Sequence, residues 1–204
     1  MINVDAIVTM HDGAIEQWKQ QDIKAQSSAL DWVLKVQLKE AGFLRIAEEN
    51  HGFNYQLWHA EDRARRDDKG HTFVYWAKRE IDWCNQQRND RIEEMDTWIL
   101  QHYRPVSLQD AHVNSETPGM MLDRMSILSL KIYHMAIQTH RQTAAVEHRK
   151  KCHEKWQILV LQRQQLRVCL SHFLKALSNK TMTFYSYQQF KMYNDKQLNP
   201  ELYC

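Results

Sequence analysis

Apolar residues recur in steps of three and four along most of this chain, the spacing of helices that bury one face. The clearest stripe joins Val74, Ala77, Ile81, Cys84, Arg88, Ile92, Met95 and Ile99. This helix, third in chain order, ends near Tyr103, because Pro105 disfavours helical backbone at Arg104. Two helices precede it. The first spans Val4 to Trp18, with Gly13 as its weak point. The second starts at Ser27 or Ser28, both suitable N-caps, and carries Leu30, Val33, Leu34, Leu38, Ala41 and Leu44. It extends to Arg66 with a bend or break at Gly42 or Gly52, and Asp67 to Gly70 is a turn.

Beyond a loop over residues 104–116, Thr117-Pro118 opens a fourth helix, with Thr as N-cap and Pro in the first helical position. It runs to about Thr139 along Met121, Met125, Leu128, Ile132 and Met135. The polar residues 140–151 hold a connection. A fifth helix follows with Cys152, Trp156, Leu159, Arg163, Leu166, Leu170, Phe173 and Leu177. From Thr183 to Tyr203 the chain is aromatic and not periodic, which predicts a tail docked on the bundle rather than free. The predicted fold class is all-α: one domain over residues 1–204, a bundle of about five helices with an ordered aromatic C-terminal tail.

Composition agrees and removes some functions. Five Gly and three Pro in 204 residues leave too few turns for a sandwich or a doubly wound sheet. Lys and Arg number 27 against 25 Asp and Glu, so charge gives no argument for a nucleic-acid partner. No run reaches the roughly 20 apolar residues of a membrane span, and no secretory signal is read at the N-terminus. A cytoplasmic protein is expected. Cys84, Cys152, Cys169 and Cys204 are too far apart for a zinc motif, and the first three fall on apolar stripes as small core residues.

The candidate chemistry lies where polar residues interrupt these stripes. Around Asn54, the residues His59, Glu61, Asp62 and Arg65 share a helix with Trp58. Their bland reading is an exposed ion pair between the carboxylates and Arg65 or Arg66. In the third helix Asp82, Asn85 and Asn89 form a polar ridge, and Arg88 sits in the seam itself. In the fourth, Asp123, Arg124, Lys131 and His134 lie among Met, Leu and Ile. Such groups near a core need partners, either in a polar network that fixes packing or in a site. Asp123 and His134 are about 16 Å apart along the axis and form no dyad. Ser126 has no obvious base. A di-metal centre needs two Glu-x-x-His pairs plus two further Glu; no Glu-x-x-His is read in the chain, so His59 and Asp62 are only weak metal candidates and none is assigned.

These motifs resemble those of an uncharacterised bacterial family of small helical proteins, a domain of unknown function. The likeness rests on Asn54-x-x-Leu-Trp-His-x-Glu-Asp-x-Ala-Arg65 and Arg79-x-x-Ile-Asp-x-x-Asn-Gln-x-Arg-Asn-Asp-x-Ile-Glu93. It rests also on Glu116-Thr-Pro-Gly-x-x-x-Asp-Arg-x-Ser-Ile-Leu128 and the closing Phe190-Lys-x-Tyr-Asn-Asp-x-x-x-Asn-Pro-x-Leu-Tyr203. The resemblance implies a helical fold and a link to surface-polysaccharide synthesis, with no established activity and no known cofactor.

The leading expectation is a polar inter-helix pocket for a small anionic or sugar-like ligand. Asn54, Arg65, Asp82, Asn85, Arg88, Asn89, Arg124 and Lys131 would bind, the two arginines 88 and 124 holding the anion. Were catalysis to occur, Glu61 or Asp123 would serve as general base, with His59 as the alternative. The competing expectation is a non-enzymatic accessory protein or homo-oligomer, whose polar motifs are a structural network.

Overall fold

The computed structural model describes residues 2–22, 42–105, 111–190 and 192–203. Among these, five α-helices follow in order: α1 (Val4–Asp22), α2 (Phe43–Arg63), α3 (His71–Tyr103), α4 (Pro118–Thr139) and α5 (Val146–Ser178). The all-α reading therefore holds. The stretch expected to start the second helix, residues 27–41, lies outside the described residues. Its continuation is α2, which begins after Gly42 (φ 60°), while Gly52 is buried within an unbroken helix.

A short 3-10 turn, Asp67–Lys69, folds α2 and α3 into an antiparallel hairpin. Ion pairs Glu49–Arg91 (2.6 Å) and Glu80–Arg63 cross it, with Phe53 edge-on to Trp83 between them. α4 and α5 form a second hairpin. α1 lies against it, with Asp12 paired to Arg163 (2.5 Å) and Asp5 to Arg167. The core between them includes Ile7, Met95, Ile99, Leu122, Met125, Leu170, Leu174 and Leu177, all fully buried. Arg163, the odd member of the fifth stripe, also donates to Ser129 Oγ (3.0 Å), so its charge and its donors are both used.

At the start of α4, α3 and α4 are in close contact. Thr117 caps the helix, its Oγ1 accepting from the Met120 N–H (3.1 Å), with Pro118 in the first turn as predicted. Asp96 of α3, only 2% exposed, accepts the Gly119 N–H on Oδ1 (2.7 Å). A carboxylate is well placed there, against the free N–H groups and positive end of a helix. Burial still dominates and pushes its carboxyl up to about 6, against the opposing pull of Thr117 and the Gly119 N–H. A Cβ on Gly119 would lie 2.6 Å from the Ile92 carbonyl oxygen and 2.7 Å from Asp96 Oδ1. Backbone cannot yield there as a flexible side chain would, so the Thr-Pro-Gly motif is a docking device as well as a helix start.

Several expectations need correction. The loop after Tyr103 includes a three-residue strand, β1 (His112–Asn114), which pairs in parallel with β2 (Met182–Phe184). The pairing joins the chain just past α3 to the chain just past α5. Lys180 Nζ reinforces it by donating to the Tyr103 and Arg104 carbonyls at the end of α3. α5 starts at Val146, so the connection is shorter than predicted and most of the basic cluster His148–Lys155 is helical surface. Cys84 and Cys152 are buried as expected, but Cys169 is exposed. Among the described residues of the tail, only Thr183 and Phe184 are buried, Phe184 packing edge-on to Phe173. Tyr185, Tyr187, Phe190, Tyr193 and Tyr203 are all exposed, and Gln189 N–H donates to Glu93 (2.7 Å) as a tether.

Gly119→Ala is expected to lower stability by about 2–4 kcal/mol, the range for overpacking plus loss of a buried hydrogen bond. Chemical denaturation measures it. A change below about 0.5 kcal/mol, that of an ordinary surface substitution, would mean that α3 and α4 are not in this close contact.

Candidate functional site

α2, α3 and α4 meet at a buried polar cluster. Asn50, His51 and Asn54 project from α2, and Asp123 and Ser126 from α4, each no more than 6% exposed. Asp123 Oδ1 accepts from Asn54 Nδ2 (2.9 Å) and Asn50 Nδ2 (3.1 Å). Arg88 of α3 supplies the countercharge, with Nε 3.4 Å from the same oxygen but not aligned as a hydrogen bond. Asn54 Nδ2 also donates to Ser126 Oγ (3.0 Å). Because a carboxylate only accepts, these contacts fix which end of each amide is nitrogen.

The remaining polar atoms close the network. His51 Nε2 lies 3.1 Å from the His11 backbone oxygen, which can only accept, so Nε2 carries the imidazole proton. Nδ1 is then the acceptor, and Ser126 donates its hydroxyl to it at 2.8 Å. The His11 ring lies 4.3 Å from His51, tilted by 30°, and Trp18 lies 5.2 Å from the same ring, tilted by 35°. Burial holds both imidazoles below their ordinary range, His51 at about 3, with Arg163 adding to the effect.

This arrangement corrects two sequence readings. Ser126 does have a base at hydrogen-bond distance. Both side chains are fully buried, however, so the pair has the geometry of a nucleophile and no path for a substrate. A Glu-x-x-His spacing also exists, at Glu48 and His51, both buried. Both nitrogens of His51 are already engaged, and among the described residues no three His, Cys, Asp or Glu side chains are grouped to hold a metal. His59 and Asp62 gain no such third partner.

Of the predicted binding residues, the structure brings Asn54 and Arg88 together, around the candidate base Asp123. Asn89 is buried on the same helix as Arg88, and Asn85 is half-buried. The others lie elsewhere. Arg65 pairs with Glu61 (2.6 Å) on the surface, the bland reading of that motif. Asp82 is half-exposed beside Arg79 (3.2 Å). Arg124, expected to hold the anion with Arg88, points outward and pairs with Glu116. No single pocket therefore contains Arg65, Asp82, Arg88 and Arg124. Sequence reading missed Asn50, His51, His11 and Asp96. Their signal was available, since His51 follows Ala47 by four residues and precedes Tyr55 by four on a buried stripe.

A concave site does exist further along α2 and α4, where α5 joins them. A cleft of about 670 Å³ is lined by Trp58 and Asp62 of α2, Lys131, His134 and Gln138 of α4, and Lys155, Ile158 and Gln162 of α5. That volume suits a small ligand. Trp58 lies flat on His134, with rings parallel within 4° and 4.3 Å apart. Burial and the neighbouring His59 hold His134 down at about 4, so it is a neutral hydrogen-bonding group at pH 7. Its Nε2 is buried without a hydrogen-bond partner among the described residues. Neither Lys131 nor Lys155 has a salt-bridge partner among them.

The family model described as Protein of unknown function (DUF4254) matches residues 44–185, and the chain belongs to that family. No curated protein and no solved structure matches the chain.

The neutral imidazoles predict the direction of pH dependence. Below about pH 6.5 the unfolded chain takes up protons that folded His11 and His51 refuse, so their contribution falls with pH. Asp96 acts oppositely between about pH 6 and 4, where the folded carboxyl keeps a proton that the unfolded one releases. Three imidazoles, counting the partly buried His134, outweigh one carboxyl. Urea denaturation is expected to show at least about 2–3 kcal/mol less stability at pH 5 than at pH 7.5. Equal or greater stability at pH 5 would mean that the histidines are not buried neutral.

Proposed function

We propose that this member of a family of unknown function binds a small anionic, sugar-like ligand in the cleft between α2, α4 and α5. The observation that carries the reading is the pair Lys131 and Lys155, on two different helices of one cleft, without carboxylate partners among the described residues. An anion between them gains two charge-assisted contacts where the protein offers none. Trp58 gives the cleft a flat apolar wall for a sugar ring, while Asp62, Gln138 and Gln162 offer hydrogen bonds to hydroxyls.

Binding is favoured over catalysis by the positions of the candidate bases. Glu61 is held by Arg65, and the Asp123 carboxylate is buried and already bonded to two amides. Neither lines the cleft. His59 lies beside Tyr55 and His134 behind the cleft wall, at ring distances of 4.6 and 6.0 Å.

The test is a thermal-shift and calorimetric screen of the full chain against sugar phosphates and nucleotide sugars. A ligand bound only by the folded state raises the melting temperature by mass action. Lys131→Ala with Lys155→Ala is expected to weaken that binding at least about tenfold, or 1.4 kcal/mol, without lowering the melting temperature of the free protein. Absence of any shift at millimolar concentrations, or equal affinity in the double variant, would overturn the reading.

A second reading, an accessory protein that docks a partner through its tail, is favoured by one observation. Phe190 is 78% exposed and Tyr193 64%, more than most large apolar side chains of the chain. Removal of residues 186–204 separates the alternatives. Unchanged stability is expected for a tail that serves a partner, whereas a clear loss of stability would show that it docks on its own bundle.

A further inference from the structure

α5 carries two stripes. One, through Leu166, Leu170, Phe173 and Leu177, enters the core. The other faces away from it. Ile158, Leu161, Gln165, Val168 and His172 follow in steps of three, four, three and four, the spacing of a coiled-coil seam. Ile158 and Leu161 are more than half exposed, and Val168 is 40% exposed. Between Gln157 and His172 this outer face has no charged side chain, although 25% of the chain is charged. The two arginines in that stretch, Arg163 and Arg167, turn the other way to Asp12 and Asp5 of α1. Loss of charge around an apolar centre marks the middle of an interface rather than a solvated face.

Charges return at the two ends of the stripe. Glu154 and Lys175 are exposed, and neither has an ion-pair partner among the described residues. An antiparallel copy of the same helix, with its two-fold axis between Gln164 and Gln165, satisfies all of these features together. It sets Leu161 against the partner's Val168, each glutamine against the partner's other glutamine, and Glu154 against the partner's Lys175. The two-fold repeats each contact, as an isologous interface requires. A parallel copy in register would put Glu154 on Glu154 and Lys175 on Lys175.

We propose that the outer face of α5 is a self-association surface, and that its partner is a second copy of this chain lying antiparallel along residues 154–175. The seam is about 32 Å long at 1.5 Å per residue. Such a strip falls at the small end of specific interfaces, which places the dimer at about micromolar affinity.

Sedimentation of the full chain, under reducing conditions and over a concentration series, tests this. The expected result is a monomer–dimer equilibrium that Leu161→Asp weakens at least about tenfold. Charge reversal reads the orientation. Glu154→Lys alone and Lys175→Glu alone should each weaken the dimer, and the two together should restore it. These positions are exposed, so the reversal tests the seam even if Leu161→Asp disturbs folding. A chain that stays monomeric at 100-fold above micromolar concentration, roughly 0.1 mM, overturns the proposal. So does a dimer unaffected by both kinds of change, or one lost only when residues 186–204 are removed. Failure to restore the dimer in the double reversal overturns the antiparallel register.

Discussion

A carboxylate sealed among three helices is the constraint on which the rest of this bundle depends. Asp123 would cost several kilocalories per mole if buried without donors. It is met by two amides from α2 and a guanidinium from α3. Each partner reaches it only in one register of the helices. Sliding α2 by one residue would turn Asn50 and Asn54 away by about 100° and strand the carboxylate. The apolar core alone tolerates such slips more readily, since one Leu–Met contact resembles another. The polar cluster therefore specifies the arrangement more than it adds to stability.

A second fixed point stands about two turns further along α3. Asp96 meets Gly119 where no side chain fits, and Thr117 caps the same helix start. α4 is thus held at its beginning by backbone contact and one turn later by Asp123. Conserving the register at two points of one helix leaves the remaining seam little freedom. Both points are polar, and both are costly if half-made, which ties the folded state to a neutral His51 and to an Asp96 carboxyl that burial pushes up.

The helices were legible because apolar spacing is a property of single elements. The start of α4 was read correctly from Thr117 and Pro118, and the end of α3 from Pro105. What the chain hides is direction. Arg88 and Arg124 look alike in sequence, each a guanidinium near apolar residues, yet one turns inward to Asp123 and the other outward to Glu116. That difference is about 100° per residue of azimuth, which depends on where each helix's neighbours lie. His51 was passed over because an imidazole on an apolar stripe carries no mark of its partner. The Ser126 that completes it is 75 residues away in sequence. Short strands were missed for the same reason, since β1 exists only through its pairing with β2.

The network and the cleft share a geometry that explains how a buried motif supports an exposed site. Asn50, Asn54, Trp58 and Asp62 follow at intervals of four along α2, and Ser126, Leu130, His134 and Gln138 do the same along α4. Residues four apart form one ridge of a helix. The lower part of each ridge is locked by the Asn54–Ser126 hydrogen bond, and the upper part carries Trp58 against His134. Because both helices run the same way, fixing the register below fixes the ring stack above. Cleft geometry then depends on Asp123, which does not line the cleft. This is how supporting residues act in binding sites generally: they hold the contacting groups within a fraction of an ångström without meeting the ligand. It also accounts for a motif in which Asn54 and Trp58 occur together while only Trp58 lines the cleft.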